Sequence, residues 1–138
     1  MNLQLITDSS GLFSLTVKTD INHPKALKIS KNLLQTKGTI IIPGEIFAEV
    51  INILGKKIGK KVAIKTGRMF ISSDIFTIID TTNKIRLLAF KLFQNQPSSV
   101  SFTDCLVMAF ADEYKTKDIF GFDEAFKKNG YKRVGIDK

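Results

Sequence analysis

Four short apolar runs constrain this chain most: LQLIT (3–7), TIIIP (39–43), DIFTIID (74–80) and DIFGF (118–122). Each is rich in β-branched or aromatic residues, and each is followed by a stretch with helical periodicity. TIIIP shows the pattern most cleanly. Pro43 stops the run, and from Gly44 to about Lys61 apolar residues recur at helical spacing. Strands that alternate with helices predict an α/β domain with a mainly parallel central sheet of four or five strands, YKRVGI (131–136) being the fifth. In such sheets ligands bind beyond the carboxyl ends of the strands. The residues that directly follow each run therefore carry the functional question.

Between the strands, SSGLFSLTVK reads as a turn and short helix, and Pro24 starts a helix to Gln35 that Gly38 ends. VAIKTGRMFIS reads as another helix or half-helix. Thr81 or Thr82 caps a helix to Phe93, Ser101–Tyr114 forms the next, and DEAFKKNG is a helical turn ended by Gly130. The loop 94–100 can stretch ~23 Å, more than the ~18 Å of the helix before it. The chain can therefore return to the carboxyl edge before Ser101. With no repeat or linker, residues 1–138 read as a single domain. No apolar stretch approaches the ~20 residues of a membrane span. MNLQLITD lacks the basic start and long apolar middle of a signal peptide, so the expectation is a cytoplasmic protein.

One cysteine, Cys105, excludes an internal disulfide framework and a cysteine-based zinc site. With His23 as the one histidine, any metal must be held mainly by oxygen, which favours hard cations such as magnesium or manganese. Cys105 reads as core and His23 as a packing residue at a helix start. The 21 Lys+Arg against 13 Asp+Glu leave a formal net charge of +8, which favours an anionic partner, nucleic acid first.

Asp8 follows the first run and Asp123 the fourth; each also suits a turn or a helix cap. Asp104 lies in SFTDCLVMAFADEY, where Ser101-x-x-Asp104 fits a capping box. The rest of that helix is apolar nearly all round, so its first turn should face other elements. In PGEIFAEVINILGKK, Ile46, Phe47, Val50, Ile53 and Leu54 share one face. Glu49 borders that face, whereas Glu45 points to solvent. Four carboxylates converging in a low dielectric repel one another, and a shared divalent cation is the usual remedy.

These segments resemble the PIN-domain family, in particular the small VapC-type toxins. LITDSSGLFSL resembles the family's opening strand, acid and hydroxyl-bearing turn. IPGEIFAEVINIL resembles its strand–helix segment, with the glutamate at Glu49. SFTDCLVMAFADEYKTKDIFGFDEAF resembles the region whose acids fall on Asp104 and Asp123. The resemblance implies a magnesium- or manganese-dependent endoribonuclease in which Asp8, Glu49, Asp104 and Asp123 hold metal and direct water at an RNA phosphodiester. It also implies a homodimer and a cognate antitoxin. One position departs. Where the family often carries Thr or Ser two residues before the last aspartate, supporting the metal shell, this chain has Gly121. Ser9 and Ser10 remain as supporting hydroxyls.

Lys56, Lys57, Lys60, Lys61, Lys65 and Arg68 form a run without an acid. It can grip RNA phosphates or an acidic antitoxin segment, or simply solvate a helix end. Ile64, Met69 and Phe70 beside it would suit a partner helix. Two other classes stand against the nuclease. One is a PIN-like binding module without catalysis, which Gly121 leaves open. The other is a phospho-receiver domain that would use Asp80 as phosphoacceptor.

Overall fold

The strands form where the apolar runs stand. In this computed structural model, which describes residues 3–138, they are β1 (Gln4–Thr7), β2 (Thr39–Pro43), β3 (Phe76–Ile79), β4 (Asp118–Phe120) and β5 (Lys132–Arg133). All pair in parallel, in the order β3-β2-β1-β4-β5. The helices are α1 (Ser9–Thr16), α2 (His23–Thr36), α3 (Gly44–Lys57), α4 (Lys60–Ser72), α5 (Asn83–Gln94), α6 (Phe102–Glu113) and α7 (Glu124–Lys128). The inner strands are buried on both faces, so Leu5, Ile6, Ile40, Ile41 and Ile42 form an unbroken apolar layer instead of an alternating one. At the edge, β3 exposes Thr77.

α6 is the helix of the interior. Every residue from Cys105 to Ala111 is buried, as an apolar sequence with no polar stripe requires. Phe110 has no exposed surface, and truncating such a ring to Ala typically costs ~3–5 kcal/mol. α3 shows the ordinary surface pattern: Ile46, Val50 and Leu54 face inward and Glu45 outward.

Two helix ends differ from the sequence expectation. The helical stretch from Gly44 does not run to Lys61. It breaks at Ile58 and Gly59, and α4 restarts at Lys60. Gly59 has φ +146°, a backbone that a residue with a Cβ rarely adopts, so the break belongs to this glycine. At the end of α2 the left-handed residue is Lys37 (φ 56°), not Gly38, whose N–H closes the turn onto the Leu33 carbonyl.

The strand order decides where a site can form. The chain builds β1, β2 and β3 in one direction, then crosses back to lay β4 on the other side of β1. The order reverses between β1 and β4, and the crevice at their carboxyl ends is the topological switch point. A phospho-receiver sheet would instead place its third strand between the first and fourth. That reading is overturned here, because β3 lies at the far edge. Among the described residues no helix is long and apolar enough to cross a membrane.

Candidate active site at the carboxyl edge

Asp8 is the first residue beyond β1 and the N-cap of α1. Its Oδ1 accepts the Ser10 hydroxyl at 2.8 Å and the Gly11 N–H at 2.9 Å. Its own N–H donates to the Phe120 carbonyl at 3.2 Å, extending the β1–β4 ladder past Thr7. The Thr7 hydroxyl lies 3.1 Å from that same carbonyl. Asp8 thus pairs with a hydroxyl and an amide. It is only 7% exposed. Burial pushes its carboxyl up to about 6, and the charges of Asp104 and Asp123 push the same way, against the two hydrogen bonds.

Asp104 sits in the first turn of α6. Its carboxylate accepts the Ser101 N–H at 3.2 Å while its own N–H donates to the Ser101 hydroxyl at 3.0 Å, completing the capping box. Burial again raises its carboxyl, with a push from Asp123. Asp123, beyond β4, caps α7 through the Ala125 N–H at 2.8 Å and is exposed. The three aspartates therefore lie within one another's field, and each also caps a helix. The two roles coincide for a topological reason. α1 and α7 follow strands of a parallel sheet and so start at its carboxyl edge, and α6, which leads back into β4, starts there as well, so all three caps face the crevice.

Glu49 is half-buried in the second turn of α3. It is not among the charges that act on Asp8 or Asp104. Glu45 is exposed and accepts the Thr81 hydroxyl at 2.6 Å. Of the serines, Ser10 reaches Asp8, and Ser9 is the partly buried first residue of α1. Gly121 proves to be a matter of space. A Cβ there would stand 2.7 Å from Asp8 Cγ, closer than real atoms approach.

Sequence reasoning missed Arg133. Its Nη1 donates to the Phe122 carbonyl at 3.1 Å, next to Asp123, and its Nη2 pairs with Asp137 at 2.9 Å. The sole local signal is the four-residue spacing of Arg133 and Asp137, which gives no hint of Phe122. In the basic run, Lys56, Lys57, Lys60, Lys61, Lys65 and Arg68 are all exposed. Ile64 and Met69 are 45% and 43% exposed, but Phe70 is not part of that surface. It is 1% exposed and packs edge-on against Phe76 with ring centroids 4.8 Å apart. Phe70 falls on the inward face of α4 with Ala63, Thr66 and Gly67.

The family model described as the PIN domain matches residues 5–131. The chain belongs to the PIN-domain family. Solved structures agree on the fold. The VapC20 toxin of Mycobacterium tuberculosis, described as cleaving the sarcin-ricin loop, is 18% identical. It superposes with a TM-score of 0.80 over 94% of this chain and 98% of its own. VapBC2 of Rickettsia felis, bound to a DNA fragment from its promoter, is 16% identical with a TM-score of 0.71, over 91% of this chain and 92% of its own. No curated protein matches the chain in sequence.

Does this PIN domain suit a divalent cation? The donors gathered at the edge are carboxylate oxygens, the hard ligands that magnesium and manganese take. Burial raises Asp8 and Asp104 first, and the smaller push from neighbouring aspartates that adds to it is what a cation would relieve. In their present positions, however, no three of the described His, Cys, Asp and Glu side chains are grouped to hold one ion. The donor chemistry fits; the carboxylates are turned onto their helix caps.

Proposed function

We propose that this PIN domain is a metal-dependent endoribonuclease acting in the cytoplasm, the toxin of a toxin–antitoxin pair. The observation that carries the reading is the set of three aspartates sharing one field at the switch-point crevice, with Asp8 buried and raised to about 6. Asp8, Asp104 and Asp123 would hold magnesium or manganese, with Glu49 of α3 as the fourth acid. When bound, the ion supplies Lewis acidity toward the phosphoryl oxygen and makes a bound water more acidic. The chain's own part is to keep the acids close against their repulsion and to draw the RNA backbone in with its excess positive charge. The relative described as cleaving the sarcin-ricin loop supports RNA as the substrate class.

The test is cleavage of a structured RNA with magnesium, with chelator, and with Asp8→Asn. Chelator and Asp8→Asn should each reduce cleavage by more than ~100-fold, beyond the usual cost of losing an outer-shell partner. Undiminished cleavage in chelator would reject the reading. A second reading, a PIN-fold binding module without catalysis, is favoured by one observation: the aspartates are engaged as helix caps, and among the described residues no three acids are grouped to hold one ion. RNA binding without metal-dependent cleavage would establish it.

The partner reading rests on two surfaces. Beside the basic run, a groove of about 790 Å³ lies between the end of α1 and α4, lined by Val17, Lys18, Ile58, Val62, Lys65 and Met69 among others. An acidic amphipathic antitoxin segment would set its apolar face in the groove and its acids against Lys18 and Lys65. Reversing Lys57, Lys60 and Lys61 to Glu should weaken RNA binding at low salt and reduce the slope of its salt dependence by about 2. If RNA and antitoxin affinities are both unchanged, the run is only a solvated surface. A homodimer completes the reading; a strict monomer by light scattering at high protein concentration defeats it.

A further inference from the structure

We infer that Ser10 and Gly121 act as one device that sets the spacing of the Asp8 and Asp123 carboxylates, Ser10 as a positioning hydroxyl and Gly121 as required empty space. The inference rests on the acid-site reading above.

β1 and β4 run in parallel with Thr7 opposite Phe120, so the two chains leave the sheet side by side. The last ladder bond is from the Asp8 N–H to the Phe120 carbonyl. Beyond it, backbone pairing no longer holds the exits together, although both acids lie there. Ser10 takes over at this point. Its hydroxyl donates to Asp8 Oδ1 at 2.8 Å and accepts the Phe122 N–H at 3.2 Å, a bond spanning 112 residues of sequence. A hydroxyl has one hydrogen to give and lone pairs to receive, so it can make both bonds at once. A serine two residues after an aspartate often bonds it locally. The bond to Phe122 is not local, and it ties α1 to the residue next to Asp123.

Gly121 supplies the other half. Continuing the β1–β4 register by one residue sets it beside Asp8. A Cβ at this position would meet Asp8 Cγ and Oδ1 at 2.7 Å and Oδ2 at 2.8 Å. The Asp8 carboxylate therefore fills the volume that any side chain at 121 would need. It cannot simply swing aside, because Oδ1 is held by the Gly11 N–H. On its far side the backbone of Phe122 is held as well: its carbonyl accepts from Arg133, which Asp137 anchors. Like charges move apart when their supports loosen. The Ser10 bridge opposes that movement, and Gly121 lets Asp8 sit against the exit of β4 while it does so.

The experiment is calorimetric titration of Mn²⁺ into wild type, Ser10→Ala, Ser10→Thr, Gly121→Ala and Asp8→Asn, with melting curves of each in chelator. Ser10→Ala and Gly121→Ala should each weaken Mn²⁺ binding about tenfold, as loss of an outer-shell partner does. Ser10→Thr, which keeps the hydroxyl, should bind as wild type. The Ser10→Ala/Gly121→Ala double variant should lose less than the product of the two, because both act on one carboxylate. Unchanged Mn²⁺ affinity in both single variants, with binding abolished in Asp8→Asn, overturns the inference and leaves the acid site standing. Wild-type binding by Asp8→Asn overturns the acid site and the inference together. If Gly121→Ala does not fold, the contrast between Ser10→Ala and Ser10→Thr decides alone: weakening that Thr restores supports the device, and no weakening overturns it.

Discussion

Asp8→Asn will raise the melting temperature of the metal-free protein at pH 7 by roughly 5–10 °C, a gain of about 2–3 kcal/mol. The cause is the raised carboxyl, from 3.8 to about 6, with burial as the first reason and the charges of Asp104 and Asp123 behind it. An acid whose folded pKa lies above its unfolded value stabilises the fold while protonated, and that stabilisation is lost as pH rises through the folded value. For Asp8 it is complete below about 4 and gone above about 6. Asparagine stays neutral, and its Oδ1 can still accept both the Ser10 hydroxyl and the Gly11 N–H. The gap between variant and wild type should therefore open between about pH 4 and 6 and stay constant beyond. Melting curves in chelator across this range measure it. A variant less stable than wild type at neutral pH, or a gap of equal size at acid pH, would contradict the buried, repelled carboxylate. Under the proposed function the same substitution abolishes cleavage, so stability and activity move in opposite directions.

Gly11→Ala will destabilise the fold by about 3 kcal/mol, lowering the melting temperature by roughly 10 °C. A Cβ on Gly11 would overlap the Phe120 carbonyl oxygen and stand 3.0 Å from Thr7 Oγ1. That oxygen belongs to the backbone of β4 and already accepts the Asp8 N–H, so it cannot rotate away. α1 has to lift off the sheet. Helix propensity argues the other way, since Ala is favoured over Gly by about 1 kcal/mol in a helix interior, but steric overlap with a fixed backbone is the larger effect. Gly55→Ala in α3 is the control. Its Cβ would meet only Ala63 Cβ at 4.0 Å, so propensity should decide and the variant should be neutral or slightly more stable. Thermal denaturation of the two variants side by side is sufficient. Equal stability of Gly11→Ala and wild type would show that α1 does not lie against β4 as described.

The placement of the acids was readable because it depends on short-range rules. A β-branched run that meets a proline stops there, and β2 ends at Pro43. A serine three residues ahead of Asp104 offers a capping box, and the box is formed. Asp8 and Asp123 follow apolar runs, and Asp8 stands directly after β1 while Asp123 lies just beyond β4, past Gly121 and Phe122. The failures were also physical. The helical spacing from Gly44 continued through a glycine whose backbone breaks it, because periodicity records which residues are apolar and not the φ of Gly59. Phe70 stood among lysines and read as surface; its burial depends on Phe76, which lies on a different element.

By itself the sequence determined the alternation of strands and helices, the parallel sheet that follows from it, the fully apolar α6, and the candidacy of Asp8, Asp104 and Asp123. Each rests on residues within a turn or two of one another, where spacing alone sets the geometry. Tertiary structure alone decided that β4 lies beside β1, that α1 packs against the last carbonyl of β4 through Gly11, and that Asp8 occupies the space left by Gly121. It alone decided that the backbone of Phe122 is held between Ser10, at its N–H, and Arg133, at its carbonyl. The β1–β4 approaches join residues more than a hundred positions apart in the chain, as from Ser10 to Phe122. Contacts at that range depend on which strands become neighbours, and no local pattern of side chains encodes that choice.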